Sequence, residues 1–135
     1  MKRVPFILLL MAAVKLHALD RFAALSMIES DDNDHAHGPD GEISRYQFSP
    51  GLIAEFQIDA TRLDDPTYAR QQAVRVMDCR CSGFEHQFHR APTDVEFYLL
   101  WHRPNHVEHP TGLELERAQR FANLVNRPDP KNARP

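Results

Sequence analysis

Proline spacing sets the first limit on this fold. Ten prolines and five glycines fall across 135 residues. A proline inside a helix removes a backbone donor and clashes with the preceding turn, so it ends or kinks the helix. The chain is therefore predicted to form short helices joined by turns, not a long coiled coil. Its length supports one compact domain and not two. With 42% hydrophobic and 26% charged residues, a modest core can form and wholesale disorder is not indicated. The formal net charge of -3 argues against a nucleic-acid partner recruited by bulk charge.

The N-terminus reads as a targeting segment. Lys2 and Arg3 precede an apolar run from Val4 to Val14, "VPFILLLMAAV". That run has the length of a signal-peptide core and is too short to span a bilayer as a helix. The expectation is a signal peptide over residues 1–18, cleaved after Ala13 or Ala18, and export to a periplasmic or extracellular space. A domain over 19–127 and a flexible tail over 128–135 follow, with no stable membrane span. A buried N-terminal helix is the alternative for the apolar run. Cys79 and Cys81, one residue apart, make a poor disulfide geometrically and only half of a metal site. They are expected as thiols at a helix end.

Leu19 to Glu29 reads as a helix, with Phe22, Leu25 and Glu29 on one apolar face at i, i+3 and i+7. Asp31, Asp32, Asn33 and Asp34 should stop it, because their side chains compete for backbone hydrogen bonds. Residues 31–43 form a loop, Ile43 to Phe48 a segment of undetermined type, and Leu52 to Phe56 one helical turn. Asp65-Pro66 opens a helix expected to reach about Arg80 and end at Gly83. Phe84 and Phe88, four apart, suggest a further short turn. Thr93 and Glu96 form a capping box that opens the apolar helix "VEFYLLW". Thr111 opens the last helix, with Leu113, Ala118, Phe121, Leu124 and Val125 as candidate core. Nothing reads clearly as a strand, so the predicted fold class is mainly α.

Three chemistries can be weighed on these elements. His35 and His37 stand near Asp31, Asp32 and Asp34, but neither an HExxH pattern nor EF-hand spacing is present. No metal and no cofactor are expected. Ser26, Ser30, Ser44 and Ser49 carry no nucleophile-elbow motif. Glu29 is the better candidate. It leaves the apolar face at the C-terminal end of its helix, where desolvation, the helix dipole and three nearby aspartates should all raise its pKa. A raised carboxyl pKa suits a general acid. The bland alternative is a structural ion pair with an arginine such as Arg45.

The run "ESDDNDHAHGPDGEISRYQFSP" resembles the signature of the lysozyme-like lytic transglycosylases, E-S-G-x-N-x-x-A-x-S-x-x-G-A-x-G-L-M-Q-x-x-P. Without a gap, Glu29, Ser30, Asn33, Ala36, Gly41, Gln47 and Pro50 fall on pattern positions. A second family element, an apolar helix ending A-Y-N-A-G, is similar to "FYLLWHRP", with Trp101 and His102 where Tyr and Asn usually stand. The resemblance covers roughly residues 19–107. The chain departs from the pattern at Asp31 for Gly, Gly38 for Ser, Glu42 for Ala, Ser44-Arg45 for Gly-Leu, and Tyr46 for Met.

The resemblance implies a small lysozyme-like domain that grips peptidoglycan glycan strands. Glu29 would be the single acid and base at the MurNAc–GlcNAc bond. Ser30, Tyr46, Gln47, Trp101 and His102 would contact substrate, although an aromatic such as Trp101 in an apolar helix also suits a core. Glu42 would face solvent. Arg45 would contact sugar or stem peptide, pair with Glu29, or point to solvent. A hydrolytic muramidase and a catalytically degenerate glycan-binding protein on the same scaffold remain open.

Overall fold

The computed structural model describes residues 19–127. The expected signal peptide over 1–18 and tail over 128–135 lie outside the described residues. Within them the protein is mainly α. Five α-helices run in order: α1 (Arg21–Ser30), α2 (Pro50–Phe56), α3 (Pro66–Phe88), α4 (Asp94–His102) and α5 (Gly112–Asn126). Short 3-10 turns occupy Ala60–Arg62 and Pro104–His106. Pairing between extended segments among the described residues is limited to isolated bridges, His37 with Ile43 and Ile43 with Phe48.

Side-chain caps set the helix starts. Asp20 accepts from the Phe22 and Ala23 amides, and Asp65 accepts from those of Thr67 and Tyr68. Thr93 with Glu96, and Thr111 with Glu114, form complete capping boxes. Each such cap stabilises its helix by about 1 kcal/mol. α1 ends as the acidic cluster predicts. Asp31 and Asp32 are left-handed at φ 56° and 61°. Their amides return to Met27 and Ser26 carbonyls and satisfy the last turn.

Two expectations need correction. α3 does not end at Gly83 but continues to Phe88. Phe84 is buried, and Phe88 lies against it at 4.5 Å between ring centroids, so the apolar face persists beyond the glycine. That burial outweighs the roughly 1 kcal/mol a glycine costs inside a helix. Cys79 and Cys81 therefore sit within the helix, unbonded, the first exposed and the second half-buried. Leu113, expected in the core, is 76% exposed on the first turn of α5.

α4 forms the centre of the domain. Phe97, Tyr98, Leu99, Leu100 and Trp101 are all buried, as an apolar helix without a polar face must be. α5 and α3 pack against it, and α1 packs against α5. Phe97 stacks on Phe121 at 5.8 Å with an interplanar angle of 8°. Trp101 meets Phe48 edge-on at 5.3 Å. Each large apolar side chain buried in this way contributes about 1.5–3 kcal/mol. The packing brings the end of α1 against α4 and α5.

Candidate active site

Glu29 lies in the last turn of α1, and its side chain is only 6% exposed. Tyr98 in α4 donates its hydroxyl to Glu29 Oε1 at 2.6 Å. Arg117 in α5 approaches the same oxygen at 3.8 Å. Burial raises the Glu29 pKa above its ordinary value and Glu42 adds to the rise, while Tyr98 and Arg117 oppose it. The raised pKa agrees with the sequence expectation, but the like charge comes from Glu42 and not from the neighbouring aspartates. Arg45 engages Asp34 at 2.6 Å, and Ser26 donates its hydroxyl to Asp32. Of the arginines, Arg45 therefore pairs with Asp34, and it is Arg117 that approaches Glu29.

Glu29 opens into a cleft of about 780 Å³. Glu42, Gln47 and Asp40 line it from the loop, Arg80, Trp101, His102 and Arg117 line it from α3, α4 and α5, and Arg103 lines it just after α4. Gln47 donates its amide to the Ser44 carbonyl at 2.9 Å, which orients the side chain. His102 stacks on the Tyr98 ring at 5.6 Å. Burial, then Arg117 and Arg103, hold its pKa below the ordinary histidine value, so it is neutral at pH 7. Burial and the Glu29 charge raise the Tyr98 pKa, so its phenol stays protonated as a donor.

Of the other expected contacts, Ser30 and Tyr46 fall elsewhere and Trp101 is shared with the core. Tyr46 is 2% exposed and packs with Phe48 and Trp101, away from the cleft. Its segment, of undetermined type in the sequence, is a turn: Ser44 and Gln47 have φ of 71° and 54°, and the Gln47 amide donates to Ser44 O. Gln47 lines the cleft and Arg45 does not. Ser30 spends its hydroxyl on the Arg45 carbonyl at 2.8 Å and accepts from the Asn33 amide, tying the loop to α1. Trp101 is 5% exposed and donates from Nε1 to the Tyr46 carbonyl, so it forms cleft floor and core together. Glu42, read as solvent-facing, is half-buried in the cleft and accepts from the Asp40 amide.

Among the described residues no three His, Cys, Asp or Glu side chains are placed to hold a metal ion. His35 pairs with Asp64 at the surface instead. The geometry suits proton transfer: a buried carboxyl with a raised pKa, at a cleft wall, with a fixed donor that can stabilise its anion. Tyr98→Phe removes that donor. The Glu29 carboxyl is then expected to titrate at higher pH than in the wild type, read by carboxyl-carbon NMR. An unchanged or lower midpoint would contradict the role given to Tyr98.

No family model, no curated protein and no solved structure matches the chain.

Proposed function

We propose that this protein is a peptidoglycan-cleaving lytic transglycosylase acting on the MurNAc–GlcNAc bond. The observation that carries the reading is the buried Glu29 carboxyl at the cleft, with its pKa raised by burial and Tyr98 bound to it. The resemblance of residues 29–50 to the transglycosylase signature supports it. Neutral Glu29 protonates the glycosidic oxygen as the C1–O bond breaks. The resulting carboxylate, stabilised by Tyr98 and Arg117, removes the proton of the C6 hydroxyl. O6 then closes on C1 to give a 1,6-anhydro ring. Burial favours the acid form and the two donors favour the base form, so one carboxyl serves both steps. Gln47, His102 and the Trp101 edge border the space for the sugars. The glycan substrate and the apolar run at 4–14 are consistent with a site of action outside the cytoplasm. Among the described residues no helix is long and apolar enough to cross a membrane.

A second reading, hydrolysis, is favoured by Glu42. Two carboxylates flanking one glycosidic bond are the usual equipment for attack by water. Purified peptidoglycan digested with wild-type protein and with Glu42→Gln separates the two by the mass of the product ends. The transglycosylase reading expects 1,6-anhydro ends from both proteins at similar rates. Hydrolysis expects reducing ends, lost by about 10²–10⁴-fold in Glu42→Gln. No cleavage by the wild type would leave a glycan-binding protein.

A further inference from the structure

The cleft carries a cation that the proposed chemistry does not use. Arg80 reaches from α3 to the end of α4, where Nη1 donates to the Leu100 and Trp101 carbonyls at 2.8 and 2.9 Å. Among the described residues it is the one cleft-lining arginine with no carboxylate at ion-pairing distance. Arg117 has Glu29 at 3.8 Å, and Arg103 has Glu114 at 3.9 Å. Burial holds the Arg80 pKa below its ordinary value, and Glu55 and Cys79 offset this only in part. A desolvated guanidinium without a counter-charge is costly unless a partner arrives.

The rest of its fork is available. The hydrogen bonds of Arg80 to described residues use Nη1 alone. No buried side-chain nitrogen or oxygen among the described residues lacks a partner. Nε and Nη2 are therefore not sealed in the core, and Arg80 lines the cleft. The two carbonyl bonds fix the guanidinium plane, so little side-chain entropy remains to be lost on binding. A planar, immobilised fork with free donors matches a carboxylate better than it matches a neutral sugar hydroxyl.

We propose that Arg80 is the anchor of a carboxylate subsite in this cleft, selecting glycan strands that carry an acid on MurNAc over neutral ones. Two sources share that chemistry, the lactyl carboxylate of peptide-free MurNAc and the carboxylates of its stem peptide. The proposal rests on the glycan reading of the cleft. Capping the end of α4 is a structural duty that Arg80 performs as well, and it predicts no ligand preference.

The test measures binding by calorimetry on the full chain carrying Glu29→Gln, so that ligands survive. Three ligands are compared: tetra-N-acetylglucosamine, a peptide-free GlcNAc–MurNAc tetrasaccharide, and the same tetrasaccharide bearing stem peptides. At least one acidic ligand should bind more tightly than the neutral one, and which one identifies the source. Adding Arg80→Met should weaken that binding by about 10–100-fold and change the neutral ligand by no more than about twofold, the range for one charge-assisted pair. Equal affinities for all three ligands, or equal losses with Arg80→Met, overturn the proposal and leave the glycan reading standing. If Arg80→Met does not fold, added sodium chloride on the parent protein replaces it: selective weakening of the acidic ligand supports the subsite, and an equal response overturns it. Binding of none of the three overturns both the subsite and the glycan reading.

Discussion

Glu29→Gln is expected to slow cleavage of purified peptidoglycan by about 10²–10⁴-fold, the contribution of one general acid. The substituted amide keeps the shape of the side chain and can still accept from Tyr98, so the fold should persist. Its stability relative to the wild type should grow with pH. A group whose pKa is raised in the folded state contributes stability fully below its unfolded value and loses it as pH rises through the folded value. For Glu29 the loss begins above the ordinary glutamate value of 4.5. Gln is exempt, so the melting temperature of the variant minus that of the wild type should grow as pH climbs from there. Cleavage at the wild-type rate would end the enzymatic reading. A melting difference that shrinks with pH would contradict the raised pKa.

Phe121→Ala is expected to destabilise the protein by about 3–5 kcal/mol, as truncating a buried aromatic does. Phe121 is fully buried and touches Phe97 and Tyr98, at 5.8 and 5.6 Å between centroids. The cavity would open where α5 packs on α4. A domain of this size has about 5–15 kcal/mol in all, so the loss should be plain in a denaturation midpoint. Tyr98 would also lose the ring that backs it, and the Glu29 pKa should move with it. A midpoint near that of the wild type would mean the α4–α5 packing matters less than the structure indicates.

Much of the fold was legible because it rests on local chemistry. Asp65-Pro66, Thr93 with Glu96, and Thr111 signal helix starts through side chains a few residues apart, and the structure forms those caps. The end of α3 was not legible, since the gain from burying Phe84 outweighs the local cost of Gly83 and depends on distant partners. In the site, Glu29 was readable from its place on an apolar face. Its partners were not: Tyr98 and Arg117 come from helices far along the chain, and Tyr98 sits in a run where an aromatic reads as core. The closest signal for Arg117 is its position beside Ala118 and one turn before Phe121, at the margin of the buried face of α5. The turn at Ser44–Gln47 was missed because left-handed residues there are serine and glutamine, with no glycine to mark it, whereas Gly41 at φ 85° does mark its own.

Gly38 has a normal φ, yet a side-chain carbon on it would run into Glu42 Oε2 and Gln47 Oε1. Positions 38 and 42 thus compete for one volume. The transglycosylase signature fills it with Ser and Ala, and this chain fills it with Gly and Glu. The side chains at 38 and 42 are therefore coupled sterically. Trimming Glu42 first removes one of the two obstacles to a Ser at 38 and leaves only the Gln47 amide to shift. Adding the Ser first drives Glu42 off the Asp40 amide and disturbs Gln47.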